Sequence, residues 1–210
     1  MKICVFGATG RTGMQLVEQA LAAGHEVTAF VRDTAKMTLT NPQLKVVQGD
    51  VTDQAAVTRA VVDVEAVLVA LGGKPDSSAT MLTEGTTNIV TAMKAQGIDR
   101  LIVESSYAMN GSTQSLNFLT ASMPAEQVAG LKPLLEDKAA QQKVVEQSGL
   151  NWTIIRPTYL NDEAKTGNYR IGETLEITPE NHISRADVAD FMLKQLSDKV
   201  WEGKIVTVSY

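Results

Sequence analysis

Gly7-Ala8-Thr9-Gly10-Arg11-Thr12-Gly13 is the stretch from which the rest of the chain can be read. It comes straight after the apolar run Lys2–Phe6 and leads into a helical pattern over Thr12–Ala23, so it reads as a turn between a buried strand and a helix. Gly7 permits the tight turn, Gly10 lets the backbone approach a pyrophosphate, and Gly13 allows helix and strand to pack closely. The helix start offers unpaired N–H donors and a partial positive charge to an anion. A glycine-rich turn with no ligand is the plainer alternative, and the strand–turn–helix context disfavours it.

Working outward, short β-branched runs alternate with longer helical patterns. Strands are expected at Lys2–Phe6, Glu26–Val31, Leu44–Gln48, Ala66–Leu71, Arg100–Glu104, Thr153–Ile155 and Ile205–Val208, and helices at Thr12–Ala23, Gln54–Ala60, Thr80–Gln96, Pro133–Ser148 and Arg185–Leu196. Gly24, Gly97 and Gly149 close helices, and Asp53 and Ser184 stand where N-caps belong. This is the pattern of an α/β fold: a Rossmann-type, doubly wound parallel sheet in the order 3-2-1-4-5-6, with helices on both faces. Residues 1–210 are expected to form a single domain. Two aperiodic stretches, Asn110–Lys132 and Thr158–His182, follow strand ends, where such folds bind ligands; the second is expected to form a small C-terminal lobe.

Composition removes several classes of function. Nineteen Lys and Arg against 24 Asp and Glu give a net charge of −5, with no general basic surface for a nucleic acid. The one cysteine, Cys4, lies in the first apolar run, and His25 and His182 are far apart, so neither a disulfide framework nor a metal site is expected. No apolar run approaches the roughly 20 residues of a membrane span, and a soluble, cytoplasmic protein is expected.

The end of the second strand bears on which dinucleotide is bound. It reads Phe30-Val31-Arg32-Asp33, with an arginine where NAD sites usually place an acidic residue. Arg32 suits a 2′-phosphate, and Arg11 is expected to reach the same phosphate from the glycine turn, so NADPH is the expected cofactor; Asp33 keeps NAD open. Asp50 and Val51, after strand three, are placed to meet the adenine, although Asp50 serves equally as a cap for the next helix. Ala70, Leu71 and Gly72, followed by Gly73, are small enough to pass beside the cofactor, and Ser105 and Pro157 complete its expected contacts.

Strand five ends in Glu104-Ser105-Ser106-Tyr107. In short-chain dehydrogenases a serine here works with Tyr-x-x-x-Lys on the next helix, the lysine lowering the tyrosine pKa so that it protonates a carbonyl. Lys138 stands in that helical pattern, but Leu134 occupies the position four residues before it, and the tyrosines are at 107, 159, 169 and 210. Together with Gly49-Asp50-Val51, Glu84-Gly85-Thr86-Thr87-Asn88-Ile89-Val90, Ala92-Met93-Lys94-Ala95 and Ser148-Gly149-Leu150, these features resemble the atypical short-chain dehydrogenase/reductase superfamily. The resemblance covers nearly the whole chain and is greatest to NADPH-dependent flavin reductases and biliverdin-IXβ reductases.

That resemblance implies an NADPH site in the crevice, with a flat substrate ring near the nicotinamide. Ser106 and Lys138 would be the catalytic pair, Ser106 holding the nicotinamide or substrate edge, and Tyr107 and Tyr159 would line the substrate pocket. Core or lid packing is the alternative for Tyr107, Met109, Met123 and Tyr159. Solvation is the alternative for Lys138, and simple strand-end bonding for the two serines. Those reductases carry a histidine after the proline that follows strand six, where this chain has Pro157-Thr158-Tyr159. Ile183-Ser184-Arg185-Ala186-Asp187-Val188-Ala189 resembles a shared superfamily element that caps a helix and docks the lobe.

Hydride transfer from NADPH to a small planar acceptor (flavin, biliverdin or quinone) is the leading expectation. The rival is an NADP(H)-sensing regulator of the NmrA type that binds a protein partner without turnover, for which loss of the tyrosine is also natural. An epimerase or sugar-nucleotide dehydrogenase is disfavoured by the same loss.

Overall fold

The computed structural model describes residues 1–73, 79–110 and 125–210. The strands are β1 (Lys2–Phe6), β2 (Glu26–Val31), β3 (Leu44–Gln48), β4 (Ala66–Val69), β5 (Arg100–Glu104), β6 (Asn151–Pro157), β7 (Tyr159–Asn161), β8 (Arg170–Gly172), β9 (His182–Ser184) and β10 (Lys204–Ser209). The α-helices are α1 (Arg11–Ala22), α2 (Gln54–Ala60), α3 (Met81–Gln96), α4 (Ala125–Gly130), α5 (Lys132–Glu146) and α6 (Arg185–Lys194).

The main sheet runs β3-β2-β1-β4-β5-β6-β10-β8, parallel throughout except for the β10–β8 edge. The expected 3-2-1-4-5-6 order is therefore present, and two further strands extend it beyond β6. β1 is central, with Phe6 opposite Phe30 of β2 and Val69 of β4. Its side chains alternate between two cores. Ile3 and Val5 pack with Leu16 and Val17 of α1 and Val188 and Phe191 of α6, whereas Cys4 and Phe6 pack with Val57 of α2, Ile89 and Met93 of α3 and Val145 of α5. Burial pushes the Cys4 thiol pKa up, which makes it a core residue rather than a nucleophile.

Local chemistry sets the element ends. Asp53 accepts hydrogen bonds from the Ala55 and Ala56 N–H groups, and Ser184 Oγ accepts one from Asp187 N–H, so both expected N-caps are made. Gly97 ends α3 in the left-handed conformation at φ 68°. β4 stops at Val69, two residues before the expected end, because the turn carrying Gly7 closes against Ala70.

Of the aperiodic stretch Asn110–Lys132, residues 111–124 lie outside those described, and the rest contains α4, whose six residues are too few to show a period. Met123 lies outside the described residues. Within Thr158–His182, β8 joins the main sheet and β7 pairs with β9 in a separate two-stranded parallel sheet. Among the described residues, no helix is long and apolar enough to cross a membrane.

Asp187 ties this region down. Its fully buried carboxylate accepts from the Thr166 and Gly167 N–H groups and from the Ser184, Thr166 and Tyr210 hydroxyls. Burial works to raise its pKa, yet the Tyr210 hydroxyl and the Gly167 and Thr166 donors together hold it below the usual aspartate value.

Candidate cofactor and active site

β1 delivers the chain into the turn, where each glycine has a steric reason. Gly7 has φ 79°, and a Cβ there would lie 2.4 Å from the Ala70 carbonyl oxygen. A Cβ on Gly13 would lie 2.0 Å from the Gly7 oxygen, so α1 packs on the strand end only with glycine at that position. Gly10 is the N-cap of α1 and brings no side-chain cap, which leaves the first N–H groups of the helix to an external acceptor. A recess of about 350 Å³ opens here, lined in part by Thr9, Gly10, Arg11, Met14, Asp162 and Arg185. A larger hollow of about 500 Å³, lined in part by Lys2, Asp63 and Glu65, lies at the amino-terminal ends of β1 and β4. Ligands of such sheets bind at the carboxyl ends, so the smaller recess is the relevant one.

At the carboxyl end of β2, Arg32 is exposed just past the strand, with its carbonyl accepting from Gln48 Nε2 at 3.2 Å. Asp33 caps the short 3-10 turn Thr34–Lys36 by accepting from Ala35 N–H at 3.0 Å. Asp50 accepts from the Thr52 N–H and hydroxyl, 2.9 and 2.7 Å away; these bonds, with a smaller contribution from Arg32, hold its carboxyl below its usual pKa. Asp50 thus shapes its own loop, and Asp53 caps α2. Val51 is buried against Gly85, and Asn88 Nδ2 donates to its carbonyl at 3.0 Å, which gives the Glu84–Val90 motif a positioning task. Arg11 turns elsewhere than expected: its guanidinium pairs at 2.9 Å with Asp162, which also binds Arg185 at 2.7 Å.

At the far end of the crevice, β5 stops at Glu104. Ser105 N–H donates to the Ile155 carbonyl at 2.7 Å, while its buried Oγ has no hydrogen-bond partner among the described residues. Ser106 Oγ accepts from Ala108 N–H at 3.3 Å and starts the 3-10 turn Tyr107–Asn110. Tyr107 is 1% exposed and packs with Ile177, Tyr159 and Leu175. Pro157 ends β6, and the next residue, Thr158, donates its hydroxyl to Ser209 Oγ at 3.0 Å.

Lys138 and Leu134 come from α5. Burial lowers the Lys138 pKa, against opposing pulls from Glu104 and Asp137. Leu134 covers the loop after β4: a Cβ on Gly73 would lie 2.3 Å from Leu134 Cδ1. α5 is held against α3 by Asp137, which accepts from the Leu82 and Thr83 N–H groups at 2.8 and 3.0 Å, and by Gln141, which donates to Thr86 Oγ1 at 3.0 Å. Sequence reasoning missed that clamp and also Glu104. This carboxyl is 8% exposed and accepts from Thr12 Oγ1 at 3.1 Å. Burial raises its pKa, and Lys138, Thr12 and Arg185 oppose that without cancelling it. An acidic residue closing an otherwise apolar strand was the available signal.

The residues present fit a dinucleotide: two glycine positions exclude any Cβ, the start of α1 carries no side-chain cap, and the buried Ser105 Oγ just past β5 has no hydrogen-bond partner among the described residues. The chain is 34% identical to a chloroplastic protein of Arabidopsis thaliana over 99% of its own length and 76% of the relative's. Among solved structures, ChuY of Escherichia coli O157:H7, described as an anaerobilin reductase, superposes with TM-score 0.81 at 22% identity, covering 99% of this chain and 96% of that one. A short-chain dehydrogenase/reductase of Veillonella parvula, solved with NADP, gives TM-score 0.80 at 20% identity, covering 100% and 94%. The NAD(P)H-binding family model matches residues 7–199, from the first glycine of the turn to beyond α6, and the chain belongs to that family of NAD(P)H-binding, Rossmann-fold proteins.

Proposed function

We propose that this protein is an NADPH-dependent reductase that delivers hydride to a planar conjugated acceptor, with free flavin as the first candidate and biliverdins and quinones after it. The observation that carries the reading is Leu134, an apolar side chain packed over Gly73 on the face of α5 that also bears Lys138. A ketone or aldehyde needs a proton delivered to its oxygen, and a positioned acid contributes typically 10²- to 10⁴-fold. Leucine offers none. A conjugated ring system accepts hydride at a ring atom and takes its proton from water.

Reduced nicotinamide, when bound, supplies the hydride. The chain's own residues would do the rest. The glycine turn and the N-terminus of α1 hold the pyrophosphate, Arg32 the 2′-phosphate, and Val51 and Ala70–Gly72 the passage between. Ser105, Ser106 and Pro157 stand at the nicotinamide end, with Lys138 orienting the ribose or the acceptor, and Tyr159 borders the acceptor space. The segment 158–182, whose Tyr159, Leu175 and Ile177 pack with Tyr107 just past β5, would shield the acceptor space from water.

The test is NADPH oxidation followed at the reduced-nicotinamide absorbance with flavins, biliverdins and quinones, beside ketones, aldehydes and sugar nucleotides. Turnover with the first group and none with the second is expected. Robust carbonyl reduction would refute the reading, and tight NADP(H) binding without any turnover would replace it with the sensor.

A further inference from the structure

Two buried carboxyls in this fold have opposite surroundings. Asp187, with no exposed surface, receives two backbone N–H groups and three hydroxyls. Glu104, 8% exposed, receives one hydrogen bond among the described residues, from Thr12 Oγ1 at 3.1 Å. A buried carboxylate needs several donors to stay ionised, and one hydroxyl is a poor substitute for water. The cations facing Glu104 are Lys138 from α5 and Arg185 from α6. Neither makes an ion pair with it among the described residues, and Arg185 is engaged by Asp162 at 2.7 Å.

Thr12 is the second residue of α1, in the turn to which the proposed function assigns the pyrophosphate. We propose that Glu104 is a positioning residue of the dinucleotide site, holding Thr12 in place, and that it carries a proton when a pyrophosphate lies on the turn, so that cofactor binding takes up a proton. The physical reason is charge: an ionised carboxylate tied to Thr12 in a poorly hydrated setting repels the phosphates, and protonation removes the repulsion while leaving an oxygen to accept from Thr12. The inference rests on NAD(P)H binding and is independent of which acceptor is reduced.

One linked proton makes affinity fall by up to about tenfold per pH unit above the carboxyl's value in the free protein. The test measures the NADP⁺ dissociation constant from about pH 5.5 to 9 for the wild type and Glu104→Gln, and counts protons by calorimetry in buffers of different ionisation enthalpy. Titration of the ligand's own 2′-phosphate is common to both proteins and cancels in the comparison. The wild type is expected to lose affinity more steeply with pH and to take up more protons, while Glu104→Gln, which still accepts from Thr12, shows neither the added slope nor the added uptake. If Glu104→Gln does not fold, Thr12→Val serves: without the hydroxyl the carboxyl holds its proton more tightly, and the extra loss of affinity moves to higher pH. Parallel pH profiles and equal proton uptake in wild type and Glu104→Gln, or an unmoved profile in Thr12→Val, would overturn the proposal. Failure of the wild type to bind NADP⁺ at any pH would instead overturn the placement of the cofactor on this turn.

Discussion

Replacing Arg32 with alanine is expected to remove most of a preference for NADPH over NADH. Arg32 sits exposed past β2 and makes no ion pair among the described residues. Its two neighbouring carboxylates are engaged locally, Asp33 with Ala35 N–H and Asp50 with Thr52. The guanidinium is thus available to a 2′-phosphate. Arg11, the second arginine expected there, is instead paired at 2.9 Å with Asp162. The preference therefore rests on one charged group, and a charge-assisted hydrogen bond contributes about 1.5–3 kcal/mol. At about 1.4 kcal/mol per tenfold, that is roughly 10- to 150-fold, and solvent exposure favours the lower end. The assay is the dissociation constant of NADPH and of NADH at fixed ionic strength for wild type, Arg32→Ala and Arg11→Ala. Arg32→Ala should bring the ratio to near unity, while Arg11→Ala leaves it within about threefold. Equal constants in the wild type, or an Arg11→Ala effect as large as that of Arg32→Ala, would refute the reasoning.

Asp187→Asn is expected to destabilise the fold by about 3–5 kcal/mol, because an amide N–H would face buried donors, and to lower Tm by roughly 6–20 °C. Because the folded-state pKa of Asp187 is depressed, its contribution is present above the unfolded value near 4 and is lost as pH falls through the folded value; urea melts at neutral pH and below about pH 4 should show wild type and variant converging in acid. Gly13→Ala, with its Cβ directed at the Gly7 carbonyl, should abolish NADPH binding and lower Tm; a folded variant that binds normally would show that the turn relaxes. Tyr107→Ala should cost about 3–5 kcal/mol in chemical denaturation, as for other large buried aromatics, and a loss below about 1 kcal/mol would contradict its place in the core.

The sequence by itself determined the longer strands, the glycine turn and both N-caps, because these depend on neighbours in the chain. Alternating apolar runs define buried parallel strands, and Gly7, Gly10 and Gly13 act within seven residues of one another. Asp53 and Ser184 likewise cap helices that begin at the next residue. Tertiary structure alone decided matters settled across long separations. Asp162 pairs with Arg11 from 151 positions along the chain, and Thr12 meets Glu104 across 92. Tyr107 packs with Ile177 from the segment between β8 and β9, and no local pattern announces strands three residues long. Local periodicity records which face of an element is buried; it carries no record of which distant charge or side chain will arrive there.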